Sequence, residues 1–282
     1  MKNHLNKRLV VGYIGVNGVL AKSFANTYKS KFILKAFNGD IRNYRKIYSW
    51  FLKNRDINIF INFAAITSTD KCEKFKKKAL DVNYQSPVKL MDMINIIKMN
   101  NFHYFLNLST SHVFKKSKYK LTEKSLKKPS NYYGYTKNKL EKHILDKQDK
   151  YKFKIGIARI FNYYNKGLKN GFFINDIINK LKNKKEIISF TNINSYRDFI
   201  SMDDINTALL KMINLQLIND YNICSGRKIY LLDIINYLNK KLKNKNIFFD
   251  NKLTRNIIGS NVKLKRKGWS IKNTNILNEF LK

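Results

Sequence analysis

The chain has 282 residues, enough to bury a sizeable core as one large domain or one domain with a small lobe. It carries 56 Lys and Arg against 19 Asp and Glu, a formal net charge of +37, but only nine of the cations are arginine and aromatics do not interleave with them, which weighs against a nucleic-acid binder. The lysine runs near 74–78 and 182–185 read as solvated faces, no apolar run is long enough for a membrane span, and Cys72 and Cys224 form no metal or redox motif.

The first element in chain order is a buried strand over residues 9–14. The turn Gly15-Val16-Asn17-Gly18-Val19-Leu20-Ala21 follows it and opens a helix near 18–29. Gly15 permits a tight turn, Gly18 lets backbone approach a pyrophosphate, and Ala21 is small enough for close helix–strand packing. A helix N-terminus presents free N–H groups and a positive dipole end to such an anion. Lys2 and Lys7 before an apolar stretch raise the question of a signal peptide, but the glycines and Asn17 break that stretch early, so the expected compartment is the reducing cytoplasm with free thiols.

Strands are expected near 32–37, 58–63, 104–109 and 155–160, and helices near 44–53, 84–99 and 132–147. This alternation predicts an α/β fold, a Rossmann-like doubly wound parallel sheet, with ligands outside the carboxyl ends of the strands. Gly15, Ala64, Thr110 and Asn162 fall at those ends. Beyond residue 162 the pattern is less regular: helices are expected over 172–181 and 231–242 and a strand over 196–201. The division expected is a nucleotide-binding domain over 1–162, to which 195–225 returns, and a smaller C-terminal substrate lobe from 163–194 and 226–282.

The helix near 132–147 opens on Tyr133-Gly134-Tyr135-Thr136-Lys137, which puts a phenol and an ammonium on one face. The ammonium favours the phenolate by its charge, and a phenol near its ordinary pKa of ~10 needs that help to work at neutral pH. Tyr and Lys are abundant here, so the pentad alone also arises by chance; the other motifs in order give it meaning.

Together the glycine turn and the Thr110, Tyr133 and Lys137 set resemble an extended short-chain dehydrogenase/reductase, the NAD-dependent epimerase/dehydratase family. Ile61-Asn62-Phe63-Ala64-Ala65, Asp81-Val82-Asn83, Leu106 to Ser111, Arg159-Ile160-Phe161-Asn162, Arg197-Asp198-Phe199-Ile200 and Tyr221 to Arg227 match family segments in the same order, from about Leu9 to Trp269. The stretch Ala64 to Glu73 is similar to dTDP-4-dehydrorhamnose reductases. The segments at 197–199, 221–227 and 259–269 look more like GDP-4-dehydro-6-deoxy-D-mannose reductases. Relatives commonly carry Gly-Pro after the position of Asn162, where this chain has Tyr163-Tyr164-Asn165-Lys166.

The resemblance implies catalytic roles for Thr110, Tyr133 and Lys137. It implies cofactor contacts from Gly15, Asn17, Gly18, Val19, Asp40, Ile41, Ala64, Ala65, Asn83, Tyr133 and Lys137, and substrate contacts from Thr67, Ser111, Asn162 and Arg197. For Arg197 an ion pair with Asp198 is the equal alternative to a substrate phosphate; Arg159 is expected to support the fold or position a loop. Family dehydratases carry Asp–Glu directly after the catalytic Thr, whereas here Ser111 and His112 stand there, which disfavours dehydration; His112 is expected to pack at a strand end. The implied reaction is NAD(P)H-dependent reduction of a nucleotide-diphosphate-linked 4-keto-6-deoxysugar, with a sugar-nucleotide 4-epimerase and a non-catalytic nucleotide-binding subunit as rivals. No acidic residue ends the second strand, and Lys35 and Arg42 lie near it, so the cofactor expected is NADP ahead of NAD. A homodimer is implied through the helices near 84–99 and 132–147, with no metal, no nucleic-acid partner and no membrane partner.

Overall fold

A computed structural model describes residues 8–164, 173–182, 187–190, 193–242, 246–249 and 256–273. Asn165 and Lys166, and residues 183–185 of the second lysine run, lie outside the described residues.

The central sheet is parallel and six-stranded: β1 (Val10–Ile14), β2 (Ile33–Phe37), β3 (Ile59–Asn62), β4 (Tyr104–Thr110), β5 (Lys154–Ile160) and β10 (Asn219–Ile223). Their spatial order is β10-β5-β4-β3-β1-β2. The chain runs from β1 outward to β2 and then crosses back to β3 on the other side of β1, in register Val11 to Ile59. That reversal is the topological switch point where such folds bind ligands, and the glycine turn leaves β1 at this place. The strands read as continuous apolar runs because both sheet faces are covered; all seven residues of β4 are buried.

Helices α1 (Val19–Tyr28), α2 (Tyr44–Lys53), α3 (Thr69–Lys74), α4 (Lys76–Leu80), α5 (Ser86–Ile96) and α6 (Tyr132–Lys147) connect these strands. Each long helix buries its apolar stripe: Ala21, Phe24 and Tyr28 on α1, Ile47 and Phe51 on α2, Leu140 and Ile144 on α6. The helix expected over 84–99 is instead a π-helical turn, Asp81–Gln85, running into α5, which ends at Ile96. The two short lysine-rich helices α3 and α4 had no counterpart among the expected elements.

By contacts the chain forms two units: residues 1–113, 127–159 and 206–221, and residues 114–126, 160–205 and 222–282. Elements of the later chain are β6 (Asn162–Tyr164), α7 (Phe173–Lys182), β7 (Ile187–Phe190), β8 (Tyr196–Arg197), β9 (Phe199–Ser201), α8 (Met202–Asn214), β11 (Ile229–Tyr230), α9 (Leu231–Leu242), β12 (Asn246–Phe249) and α10 (Val262–Lys265). In the second unit β6 pairs in parallel with β9, β7 with β12, and β8 antiparallel with β11. The single strand expected over 196–201 is broken at Asp198. Its buried carboxylate accepts from Ser225 N at 2.7 Å, Ser225 Oγ at 2.6 Å, Gly226 N at 2.9 Å and Gly259 N at 3.1 Å. These four donors, not Arg197, take up the carboxylate. The alternative of an Arg197–Asp198 ion pair is corrected accordingly: Arg197 Nη1 donates to Ser195 Oγ and Tyr196 O, both at 3.0 Å.

Candidate active site

The glycine turn is closed by Gly18 N donating to Gly15 O at 2.9 Å, and Gly15 sits at φ +85°. A Cβ on Gly15 would lie 2.6 Å from Ala64 N and 2.7 Å from Phe63 C, so the carboxyl ends of β1 and β3 touch there. Gly18 precedes α1 without a side-chain cap, and the first turn of α1 has no acidic residue. Its N–H groups and dipole are left for an anion. Asn17 is exposed and Val19 half-buried beside them.

The segment after β3 is held by amides. Asn62 Oδ1 accepts from Ala64 N at 3.1 Å, and Asn62 Nδ2 donates to Asn107 Oδ1 at 2.9 Å. Ala64 and Ala65 stay half-buried at the switch point, and Thr67 is exposed. Asn83 is fully buried. Its Oδ1 accepts from Ile66 N at 2.8 Å, and its Nδ2 donates to Ile66 O at 3.0 Å and Thr136 Oγ1 at 3.1 Å. The amide thus shapes the 64–66 segment and ties it to α6.

Asp40 lies at the surface and Ile41 is buried. Arg42 grips the Asp40 carboxylate, Nη2 to Oδ2 at 2.6 Å and Nε to Oδ1 at 3.0 Å, and holds it down at about 2. Lys35 pairs with Asp56 at 2.7 Å. The two cations that pointed to a 2′-phosphate are thus each engaged by a carboxylate.

Thr110 ends β4 and Ser111 starts the 3-10 turn Ser111–Val113; both are buried. Thr110 Oγ1 accepts from His112 N at 3.3 Å. Helix α6 is started by Asn131, whose Oδ1 accepts from Gly134 N at 2.8 Å. With that oxygen committed, Asn131 Nδ2 meets His112 Nδ1 at 3.0 Å as the donor, which leaves the imidazole proton on Nε2 in the neutral ring. His112, in the turn after β4, packs edge-on against the Tyr133 ring on α6 at 5.6 Å. Gly134 is what allows this approach, because a Cβ there would overlap the His112 carbonyl. The structure therefore brings Thr110, Ser111, Tyr133 and Lys137 onto one β4–turn–α6 assembly in the first unit. Asn162 and Arg197 belong to the second unit, where Asn162 opens β6 and its Nδ2 donates to Asp198 O at 3.1 Å.

Tyr133 and Lys137 are 8% and 3% exposed. Burial pushes the Lys137 ammonium down to about 8, opposed by the charge of Glu141 one turn further on. Among the described residues, no hydrogen-bond acceptor meets Lys137. Glu141 is fully buried: its Oε1 accepts from Ser109 Oγ at 2.5 Å and Arg159 Nε at 3.0 Å, and its Oε2 from Arg159 Nη2 at 2.6 Å. Arg159 Nη2 also reaches Asp220 Oδ2 at 2.6 Å, and Lys127 lies 3.3 Å from both carboxylates. Sequence reasoning gave Glu141 no role, although its i+4 spacing from Lys137 was visible. The partners of Glu141 on β4 and β5 were not visible at all.

No helix among the described residues is long and apolar enough to cross a membrane, and no three His, Cys, Asp or Glu side chains among them converge as a metal site.

The sequence pattern of the NAD dependent epimerase/dehydratase family matches residues 3–224. A GDP-6-deoxy-D-talose 4-dehydrogenase of Aggregatibacter actinomycetemcomitans is 30% identical over 135 residues, a match that covers 47% of this chain and 44% of that protein. The chain thus spans less than half the length of this curated relative. Among solved structures, RMD from Pseudomonas aeruginosa complexed with NADPH is similar at TM-score 0.83 and 19% identity, over 96% of this chain and 95% of that one. The UDP-glucose 4-epimerase of Thermus thermophilus in complex with NAD is similar at TM-score 0.82 and 14% identity, over 97% and 99%. The solved structures share the fold, and the family match spans the glycine turn and the Tyr133–Lys137 helix: the chain belongs to the NAD dependent epimerase/dehydratase family.

Proposed function

We propose that this protein is an NAD(P)H-dependent reductase of a nucleotide-diphosphate-linked 4-keto-6-deoxysugar, working in nucleotide-sugar biosynthesis. The observation that carries the reading is the β4–turn–α6 assembly with Thr110, Tyr133 and Lys137, together with a glycine turn shaped for backbone approach at the end of β1. The residues fit a dinucleotide. Gly15 has no room for a side chain, α1 offers uncapped N–H groups, and the Lys137 donors meet no protein acceptor among the described residues. Gly15, Gly18, Val19 and the Ala64–Ala65 backbone would hold the pyrophosphate and nicotinamide end, Asp40 and Ile41 the adenine end. The expected preference for NADP over NAD loses its support, because Arg42 and Lys35 are each paired with a carboxylate.

When bound, the reduced dinucleotide supplies a hydride donor for the C4 carbonyl carbon. Tyr133 then gives its proton to the carbonyl oxygen as negative charge develops there. The positive charge of Lys137 stabilises the phenolate left behind, and its free donors suit a ribose hydroxyl. Thr110 donates a hydrogen bond to the same oxygen. Ser111 and His112 replace the acid–base pair that elimination of water needs. The dehydrogenase relative, named for the 4-position of a GDP-linked 6-deoxysugar, supports this substrate class.

The second reading, a 4-epimerase, is favoured by the likeness to the Thermus enzyme and uses the same three residues. Incubation with several NDP-4-keto-6-deoxysugars while NAD(P)H absorbance is followed separates the two. A reductase consumes cofactor in proportion to ketosugar and is purified largely free of it. Interconversion of two sugar nucleotides with retained NAD⁺ and no net consumption would establish the epimerase. Tyr133→Phe is expected to bind cofactor normally and lose most turnover, and undiminished turnover would remove Tyr133 from the mechanism.

A further inference from the structure

Tyr133, Lys137 and Glu141 lie at i, i+4 and i+8 on α6, and all three are buried on one face. The third is an anion without solvent. Glu141 is clasped by Arg159 at the end of β5 and by Ser109, the residue before Thr110 on β4. The Cys72 thiol on α3 packs with Tyr133 and is pushed up by burial, while the carboxylates and the imidazole on elements packed against α6 have partners of their own. Asp81 meets Tyr44 and Ser86, Glu73 caps Tyr132 N, Asp92 meets Lys150 and Tyr151, and His112 is neutral when it accepts from Asn131. Among the described residues only Glu141 lends Lys137 a favourable charge.

We propose that Glu141 is a positioning residue of the site: anchored by Arg159 and Ser109, it fixes the Tyr133–Lys137 face of α6 against β4 and keeps Lys137 in the ammonium form that binds cofactor. The inference rests on the functional reading above. Its physical basis is that a desolvated ammonium needs a counter-charge, and that a carboxylate held by its own ligands supplies the field without taking the donors of Lys137. Arg159 and Asp220 complete the arrangement by preventing Glu141 from swinging onto Lys137 itself.

The test is titration of NADPH and NADH fluorescence against the full-length protein from pH 6 to 10. For the unaltered protein, affinity is expected to fall as pH rises past the titration of Lys137. In Glu141→Gln the fall should move down by at least about one pH unit, giving about twofold weaker binding near pH 7 and about tenfold weaker binding above about pH 9. Ser109→Ala keeps both charges and loses one hydrogen bond; it should lower the melting temperature and leave the pH profile in place. Should Glu141→Gln fail to fold, Glu141→Met, which removes the same charge and leaves Arg159 paired with Asp220, is read the same way. An unmoved profile in either charge variant, an equal shift in Ser109→Ala, or a flat profile in the unaltered protein would overturn the inference. Failure of the unaltered protein to bind either cofactor would instead sink the functional reading itself.

Discussion

Gly15→Ala tests whether the switch point is built as described. The added methyl would stand 2.6 Å from Ala64 N, 2.7 Å from Phe63 C and 2.9 Å from Ala64 Cα. These are backbone atoms, not the far end of a flexible side chain. They are held in turn by Phe63 N to Ile14 O at 3.2 Å and Ala64 N to Asn62 Oδ1 at 3.1 Å. Relief therefore requires the ends of β1 and β3 to part. Overpacking of this kind costs about 1–3 kcal/mol. Placing alanine at φ +85° adds about 1 kcal/mol. The total, about 2–4 kcal/mol, is less than a typical stability of about 5–15 kcal/mol, so the variant should fold. With an m-value near ~3 kcal/mol/M, the urea midpoint should fall by about 0.7–1.3 M. Gly18→Ala is the control: its φ is −71° and the new methyl meets only Gly15 O at 3.1 Å. A Gly15→Ala midpoint within about 0.2 M of the unaltered protein, or an equal loss in Gly18→Ala, would refute the packing argument.

Gly18→Val should retain the melting temperature but lose NADPH affinity, because a branched side chain then occupies the approach to the helix N-terminus; unchanged fluorescence titration would place the dinucleotide elsewhere. Lys137→Met should stabilise the unliganded protein by on the order of 1–3 kcal/mol at pH 7 while abolishing cofactor binding. The folded pKa of Lys137, about 8, lies below its ordinary 10.5, so its contribution to stability rises with pH between those values. The gain from methionine should accordingly shrink toward pH 10, and a gain independent of pH would contradict the burial argument. Asp198→Asn puts an amide N–H₂ among N–H and O–H donors and should lower stability by about 2–4 kcal/mol by urea unfolding, with no loss if the four donors find other acceptors.

Local chemistry wrote much of this protein into its sequence. The run from Val10 to Ile14, the glycines after it and the helical spacing of Tyr133, Lys137, Leu140 and Ile144 are all set by neighbours within a few residues. Such patterns can be read without a structure, because strand and helix periodicity constrain each segment by itself. The break at Asp198 could not, since it depends on Ser225, Gly226 and Gly259 arriving from later chain. Nor could the fate of Asn83, whose amide is claimed by Ile66 and Thr136, or the loss of Arg42 and Lys35 as free cations.

The sequence by itself determined the alternation of strands and helices, the glycine turn and the Thr110, Tyr133 and Lys137 set. Only the tertiary structure decided the electrostatic setting of that set. Glu141 meets Arg159 18 positions on, and Arg159 meets Asp220 a further 61 positions on. Whether a buried charge is stabilised depends on which opposite charge the fold delivers within a few ångströms, and no periodicity along the chain encodes that distance.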